Sequence, residues 1–295
     1  MSKVGFIGLG IMGKPMSKNL IKAGYELVVN DLNTVAVKEL TDLGAVAAAT
    51  PCEVAKQTDV VITMLPNSPH VKQAAMGEKG IIEGVHPGSI FVDMSSIAPL
   101  VSRELYAEFA KAGVEMLDAP VSGGQPKAID GTISIMVGGK KEVFDNCYPI
   151  LKAMGGSVVL TGDIGAGNTT KLANQIIVAL NIAAMSEAYV LAAKAGVEPE
   201  LVYNAIKDGL AGSTVLNAKS GLVMDRKFDP GFRIELHIKD LANALDTAHE
   251  VGVPLPLTAS VMEILQSLKV DGLQKEDHCA IVKYYEKLAN VQVKR

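Results

Sequence analysis

Residues 4–13 read VGFIGLGIMG, and the surroundings of this stretch decide the fold of the first half of the chain. An apolar run of β type, residues 4–8, ends in glycine. Apolar residues then recur about one turn apart from Met12 to Ala23, as they do in a helix. Residues 26–31 resume as a second β-type run. A strand–helix–strand unit with G-x-G-x-x-G at its first turn is the context in which that string binds a dinucleotide.

Each glycine of the string has a physical task in such a unit. Gly8 permits the tight turn, Gly10 lets the backbone approach a pyrophosphate, and Gly13 lets the helix pack close to the strand. The helix, which we expect to begin near Ile11, directs free N–H groups and its positive end at the phosphates. A glycine turn in another α/β fold is the alternative that the string alone leaves open.

Asp31 ends the second β-type run, close to the ~20 residues at which a ribose-binding acid is expected after the glycines. Its carboxylate can accept hydrogen bonds from both adenosine ribose hydroxyls, and it would repel a 2′-phosphate. No Arg or Lys follows it directly, and the nearest base, Lys38, lies a further turn away. The sequence therefore predicts NAD(H) in preference to NADP(H). The alternative is that Asp31 is only a turn residue.

The β-type runs continue to alternate with helical stretches, which predicts an α/β domain with a largely parallel sheet. The further runs are residues 60–64, 89–93, 114–118, 132–137 and 157–160. Beyond residue 163 the pattern is helical, with breaks at glycine and proline. We predict a Rossmann-type dinucleotide-binding domain over residues 1–163. An all-helical domain for substrate binding and oligomerisation is predicted over residues 164–295.

The longest apolar stretch, residues 176–193, is long enough to suggest a membrane span at first sight. It carries Asn181, Ser186 and Glu187. A helix that is apolar on nearly all sides in a soluble protein is a central helix packed from several directions. We therefore predict a buried helix that joins the two domains.

The composition bounds the class of protein. Hydrophobic residues make up 48% of the 295 residues, enough for globular cores, and the net charge of −4 argues against a nucleic-acid or acidic-membrane surface. Cys52, Cys147 and Cys279 show no C-x-x-C spacing, which predicts free thiols rather than disulfides or a zinc site. The first apolar run is too short for a signal peptide, so we expect a cytoplasmic protein.

Ser122, Gly123 and Gly124 come directly after a predicted strand. Successive backbone N–H groups at such a turn can form a nest for an anion, and the Ser122 hydroxyl adds a donor. A small carboxylate would suit this nest. A plain turn would carry the same residues, so the sequence leaves both interpretations open.

Lys171, Asn174 and Gln175 lie at i, i+3 and i+4, and therefore share one face of the predicted long helix. A lysine in an apolar helix is costly unless it has a task or a partner. Burial lowers the pKa of a lysine toward neutrality, which suits a proton donor to a carbonyl. The alternative is that Lys171 extends to water from the first turn.

The histidines are weaker candidates. His237 with Asp240 could form the histidine–carboxylate pair of many dehydrogenases, but no glycine-rich cradle lies beside it in sequence, so we predict a structural role. The other four are predicted in loops or on exposed faces without metal-ligand spacing, and no metal site is predicted. They are His70, His86, His249 and His278.

Four motifs in this order resemble those of the β-hydroxyacid dehydrogenase family, along the whole length of the chain. They are residues 8–16 (GLGIMGKPM), 118–124 (DAPVSGG), 165–175 (GAGNTTKLANQ) and 237–241 (HIKDL). The resemblance implies a Rossmann-type domain and a helical domain joined by a long helix that starts near Gly167. It also implies a homodimer or homotetramer formed through the helical domains. The implied reaction is a reversible, NAD(H)-dependent reduction of a short 3-oxo acid.

The resemblance assigns the general acid/base role to Lys171. The substrate-binding residues that it implies are Ser122, Gly123, Gly124, Asn174 and Gln175. Many family members have Asn-Asn where this chain has Asn174-Gln175, which leaves the contact of Gln175 open. The cofactor-binding residues that it implies are Gly8, Leu9, Gly10, Ile11, Met12, Gly13, Asn30, Asp31, Leu32, Leu65, Pro66, Ser96 and Lys239, with Asp240 behind Lys239. A non-catalytic NAD-binding module is the alternative of another class, and the amine of Lys171 speaks against it.

Overall fold

The computed structural model describes residues 3–295, which fall into two compact units. The first unit ends at Lys171 and the second begins at Leu172. Each unit has its own apolar core, and a single helix crosses the division.

The first unit is built on a nine-stranded sheet. Its strands are β1 (Lys3–Ile7), β2 (Glu26–Asn30), β3 (Val46–Ala47), β4 (Val60–Thr63), β5 (Ile90–Asp93), β6 (Glu115–Asp118), β7 (Val121–Ser122), β8 (Ile133–Gly138) and β9 (Gly155–Gly162). Its helices are α1 (Gly13–Lys22), α2 (Thr34–Thr41), α3 (Pro51–Ala55), α4 (Ser68–Met76), α5 (Pro99–Lys111), α6 (Gly124–Asp130) and α7 (Lys141–Met154).

The strand order β3-β2-β1-β4-β5-β6-β8-β7, with β9 beside β8, confirms the predicted Rossmann-type fold. Strands β1 to β6 are parallel, whereas β8 runs antiparallel to β6 and β7. The chain builds outward from β1 to β3 and then returns to the other side of β1 with β4. Ligands of such sheets bind at the carboxyl ends of the strands where the order reverses. That point lies between β1 and β4.

Alternate side chains of the strands serve two apolar layers, one on each face of the sheet. Phe6, Ile62 and Leu117 belong to one buried cluster, while Val61 and Phe91 belong to the other. Both faces are covered by helices, so the strands read as continuous apolar runs. This explains why the positions of the longer strands could be predicted from sequence.

The second unit is helical over the residues that the structure describes, apart from one isolated β-bridge between Arg233 and Asp277. Its helices are α8 (Ala166–Lys194), α9 (Pro199–Ile206), α10 (Thr214–Met224), α11 (Ile234–Glu250), α12 (Pro256–Val270) and α13 (Val282–Ala289). A short 3₁₀ helix, His278–Ile281, precedes α13. Helix α8 is the one that begins in the first unit and continues into the second.

Helix α8 has the length and mean hydropathy, 1.8, of a membrane span, but only by those two criteria. Its polar side chains Gln175 and Ser186 are buried inside the fold. The prediction of a buried helix packed from several directions is wrong for one face of the helix. Ile177 is 60% exposed and Leu191 is 72% exposed, so one apolar face stays open in the single chain.

Candidate active site

The glycine loop between β1 and α1 has the geometry that its sequence predicts. Gly8 has a φ of +97°, and a Cβ on Gly13 would lie 1.9 Å from the Gly8 carbonyl oxygen. A Cβ on Gly10 would meet no atom within 4 Å. The protein itself therefore requires glycine at positions 8 and 13. The open space at Gly10 fits the close approach of a cofactor phosphate.

Asp31 braces this loop from the tip of β2. Its Oδ2 accepts a hydrogen bond from the backbone N–H of Leu9, and its Oδ1 accepts one from Asn33 N at 2.6 Å. The neighbouring Asn30 side chain donates to the Ala48 carbonyl at 2.9 Å. Leu32 is fully exposed. The predicted ribose-binding acid thus lies beside the predicted phosphate-binding loop, and these residues fit an NAD(P) cofactor. Helix α1 begins at Gly13, so Ile11 and Met12 belong to the loop.

Asp93 is a buried acid that the sequence analysis did not single out, and it connects the loops that follow β4 and β5. Asp93, at the end of β5, accepts hydrogen bonds through Oδ1 from Thr63 Oγ1 at 2.7 Å and from Ser95 N at 3.1 Å. Ser95 Oγ in turn accepts from Leu65 N at 2.8 Å. Burial raises the pKa of Asp93 to about 6. The loops that carry Leu65, Pro66 and Ser96 are therefore fixed to each other through Asp93.

The start of α8 is attached to the same edge of the sheet by Asp118. Its Oδ1 accepts from Gly165 N at 2.7 Å and its Oδ2 accepts from Asn168 N at 2.6 Å. Burial raises the pKa of Asp118, although these backbone hydrogen bonds lower it. A Cβ on Gly167 would lie 2.4 Å from the Asp118 carbonyl oxygen, so only glycine lets the helix approach this closely.

Asn168 adds a second attachment of the same helical turn. Its Oδ1 accepts from Ile97 N at 3.0 Å, and its Nδ2 donates to Ser102 Oγ at 3.1 Å. Lys171 follows on the same helix and is only 6% exposed. The predicted lysine is thus placed by a helix end that is bonded to the last residue of β6 and to the segment following β5.

The predicted carboxylate-binding turn lies in the same unit as Lys171. Gly123 has a φ of +138° and Gly124 a φ of +70°, backbone conformations that favour glycine. Ser122 ends β7, which continues beyond the carboxyl end of β6. The exposed backbone of this turn suits an anion-binding nest.

The predicted residues of the second unit form one connected chain of contacts. Asn174 Nδ2 donates to Gln175 Oε1 at 2.9 Å, and Gln175 Nε2 donates to Asp240 Oδ2. The other carboxylate oxygen, Asp240 Oδ1, lies 2.8 Å from Lys239 Nζ. Helices α8 and α11 are therefore joined by polar side chains at this point.

The prediction for His278 is wrong, because the residue is 5% exposed instead of lying in a loop or on an exposed face. Its Nδ1 lies 2.9 Å from Nδ1 of His237, which is itself 1% exposed. His237 Nε2 lies 3.3 Å from the Gln175 carbonyl oxygen. The two histidines are 41 residues apart, and no local pattern of the sequence indicates that they meet.

The three cysteines are buried and unpaired, which confirms the prediction of free thiols. Burial raises the pKa of the Cys147 thiol to about 12 and also raises that of Cys279. The thiols of Cys147 and Cys279 are therefore protonated and unreactive at neutral pH. Within residues 3–295, no group of three His, Cys, Asp or Glu side chains is arranged to hold a metal ion.

Comparisons with known proteins match both units of the chain. Residues 3–162 match the NAD binding domain of 6-phosphogluconate dehydrogenase, and residues 165–285 match the NAD-binding domain of NADP-dependent 3-hydroxyisobutyrate dehydrogenase. The 2-hydroxy-3-oxopropionate reductase of Escherichia coli K12 is 43% identical over 98% of both chains. The 2-(hydroxymethyl)glutarate dehydrogenase of Eubacterium barkeri is 37% identical over 99% of this chain and 97% of its own.

A solved structure extends the likeness to three dimensions. The crystal structure of 3-hydroxyisobutyrate dehydrogenase from Salmonella typhimurium superposes with a TM-score of 0.85 and 32% identity. It covers 96% of this chain and 99% of its own.

Gly10 and Gly13 make a matched pair of variants. We expect Gly13→Ala to lower the free energy of unfolding by about 1–3 kcal/mol or more, because its methyl group overlaps the Gly8 carbonyl. Gly10→Ala should change it by no more than about 0.5 kcal/mol, yet raise the Kd for the dinucleotide roughly tenfold. Urea denaturation without cofactor and fluorescence titration with NADH measure the two effects. Wild-type NADH affinity in Gly10→Ala would contradict the assignment.

Proposed function

The chain belongs to the β-hydroxyacid dehydrogenase family, and on that premise we propose that it reduces tartronate semialdehyde (2-hydroxy-3-oxopropanoate) to D-glycerate with NADH, reversibly. It is an oxidoreductase of hydroxyacids with an NAD(P)-binding domain. The observation that carries the proposed chemistry is Lys171, a lysine 6% exposed in a helix whose first turn is bonded to the sheet edge. The choice of substrate is supported by the 43% identical reductase.

In the proposed reaction, bound NADH supplies a hydride to the aldehyde carbon. Lys171 protonates the resulting alkoxide, and in the reverse direction it accepts the proton of the alcohol. The Ser122 hydroxyl and the backbone N–H groups of Gly123 and Gly124 hold the substrate carboxylate. A positioned proton donor of this kind contributes roughly 10²- to 10⁴-fold to the rate.

The residues of the second unit take the roles that the family resemblance gives them. Asn174 and Gln175 hold the substrate, and Lys239 contacts the cofactor. Asp240 accepts a hydrogen bond from Gln175 and forms an ion pair with Lys239. A single carboxylate therefore orients one side chain proposed to bind the substrate and one proposed to bind the cofactor.

The proposed preference for NADH is supported by the residues around Asp31. Its carboxylate lies beside the glycine loop and would repel a 2′-phosphate. The next residue is the fully exposed Leu32, which offers no positive charge. Lys38, the nearest base in sequence, forms an ion pair with Asp42 at 2.8 Å.

A second candidate is 3-hydroxyisobutyrate dehydrogenase activity, whose substrate carries a methyl group. It is favoured by the 32% identical structure of that name. A pocket discriminates one methyl group by only about 1–3 kcal/mol. We therefore expect overlapping activities, with the ratio of kcat/KM values deciding between the two.

We also propose that the enzyme is a cytoplasmic homodimer, or a tetramer built from such dimers. Ile177, Leu191 and Leu288 expose 60%, 72% and 70% of their surface in the single chain. The latter two line an open apolar groove together with Ala184, Glu187, Ala188, Val190 and Tyr285. A contiguous apolar surface of this kind is typical of a protein interface.

Lys171→Met tests the proton donor because it keeps the length and the apolar stem of the side chain. We expect kcat for tartronate semialdehyde to fall by roughly 10²- to 10⁴-fold, measured by NADH absorbance. Lys194→Met, at the other end of the same helix, should retain wild-type activity. Methylmalonate semialdehyde is assayed in parallel, and a higher kcat/KM for it would overturn the substrate assignment. Full activity of Lys171→Met would overturn the mechanism.

The cofactor preference is tested by adding a positive charge beside Asp31. We expect the wild type to use NADH with at least roughly tenfold higher kcat/KM than NADPH. Leu32→Arg should narrow that ratio about tenfold, because an arginine can bind the 2′-phosphate. Leu210→Arg adds the same charge at another fully exposed leucine and should leave the ratio unchanged. A wild-type preference for NADPH would refute the role of Asp31.

The proposed dimer is tested by charge on the apolar face. Leu191→Glu should dissociate the oligomer in sedimentation velocity at micromolar concentration, because the carboxylate would be buried without a partner. Val270→Glu, at the exposed end of α12, should sediment like the wild type. A wild type that sediments as a 31.0 kDa monomer would exclude the dimer.

A further inference from the structure

The buried histidine pair lies in the second unit, directly behind a residue of the proposed substrate site. His237 on α11 contacts the backbone of Gln175 on α8, and Asp240, one turn further along α11, accepts from the Gln175 side chain. Gln175 is thus held by α11 at both its backbone and its side chain. The Asn174 amide is oriented in turn, because it donates to Gln175 Oε1.

The contacts of His237 and His278 determine which of their ring nitrogens carry protons. A carbonyl oxygen only accepts, so His237 Nε2 must carry the proton that it donates to Gln175. The 2.9 Å contact between the Nδ1 atoms of His237 and His278 needs one N–H and one lone pair. A proton on both Nδ1 atoms would set two N–H groups against each other and break the contact. The pair therefore persists only while a single proton lies between the two Nδ1 atoms.

The residues around the histidine pair shield it from solvent and include one charged group, the carboxylate of Asp277. The Phe232 ring packs edge-on against both imidazoles, at 5.7 Å from His237 and 5.3 Å from His278. Asp277 Oδ1 lies 3.9 Å from His278 Nε2. Although burial raises the pKa of Asp277, its neighbours His278 and Lys219 lower that pKa to about 2. Asp277 is therefore ionised at every pH of interest.

The other elements packed here add few charges. On α11 itself, Lys239 and Asp240 form an ion pair. The residues that α12 contributes to the core of this unit are apolar, namely Val261, Leu265 and Leu268. Lys219 of α10 is bonded to both oxygens of Asp277, at 2.9 Å.

We propose that His237 and His278 form a positioning dyad that holds Gln175, and through it Asn174, in the conformation that binds substrate. This inference rests on the proposed function, since it assigns a role within the same substrate site. The dyad touches neither the reacting atoms nor the cofactor in the proposed mechanism. It acts on KM and not on the chemical step. Because His237 carries its proton on Nε2, its Nδ1 accepts the hydrogen bond that His278 Nδ1 donates, and a residue at position 278 that cannot donate removes the support of Gln175.

Two substitutions at position 278 separate this role from simple packing. His278→Asn places an amide where Nδ1 stood, and an amide can either donate to His237 or accept from it. His278→Phe keeps the shape of the ring but offers no hydrogen bond. We expect His278→Phe to raise KM about tenfold at neutral pH with kcat nearly unchanged, which is the usual effect of removing one partner of a buried hydrogen bond.

Rescue by asparagine gives the sharper contrast. His278→Asn should keep a KM close to that of the wild type, because its amide can donate to His237 Nδ1 as the imidazole of His278 does. Tyr189→Phe is the matched control, since it removes another buried hydrogen bond of this unit, to Ser220, and should leave KM unchanged. A KM in His278→Asn as high as that in His278→Phe would overturn the proposal.

A readout without turnover separates failure of the dyad from failure of the proposed function. In protein with ¹⁵N-labelled histidine, NMR should show one protonated and one unprotonated Nδ1, coupled across their hydrogen bond. The side-chain amide signals of Asn174 and Gln175 should shift from their wild-type positions in His278→Phe and stay in place in His278→Asn. If neither semialdehyde is reduced, these signals still decide on the dyad. Two protonated Nδ1 atoms at neutral pH, or amide signals in His278→Phe that match those of the wild type, would refute it.

Discussion

The carboxylate of Asp118 is the interaction on which the arrangement of the first unit depends. It lies at the end of β6 and satisfies two N–H groups at the start of α8, which would otherwise be buried without acceptors. Because a helix is rigid over a few turns, fixing its first turn also fixes Lys171. Gly167 contributes to the same attachment, since any side chain there would collide with Asp118 and prevent α8 from lying against β6. A buried acid and a glycine thus position the helical turn that carries Lys171, the residue proposed as the proton donor.

Much of the fold could be predicted because its signals are local. The strand–helix–strand unit around Gly10 and the apolar runs of a doubly covered sheet are written in neighbouring residues. Strands β3 and β7 were not predicted, because each has only two residues, too few to show the alternating pattern of a strand. The exposed face of α8 was not predicted, because the sequence of an apolar helix does not show whether its own chain or another surface covers each residue.

The site was predictable in its types of residue more than in its connections. Lys171 and Asp31 stand out by chemistry and spacing. The supports of the site do not, because Asp93 and His278 make contacts with residues distant in sequence. A buried acid at a strand end is a usable signal for such a support, since ionisable groups are seldom buried without a task. The meeting of two histidines has no such local signal.

In the role proposed for Asp31, one carboxylate links recognition of the ribose to the order of the glycine loop. Its oxygens already bind the amides of Leu9 and Asn33, so the glycine loop is shaped before any nucleotide arrives. A preformed loop loses little entropy when its ligand binds. In evolutionary terms, the acid is hard to exchange, because a substitution that tolerates a different ribose also loosens the phosphate loop. We therefore expect evolutionary changes of cofactor preference to occur at the exposed neighbour Leu32, while Asp31 itself is retained.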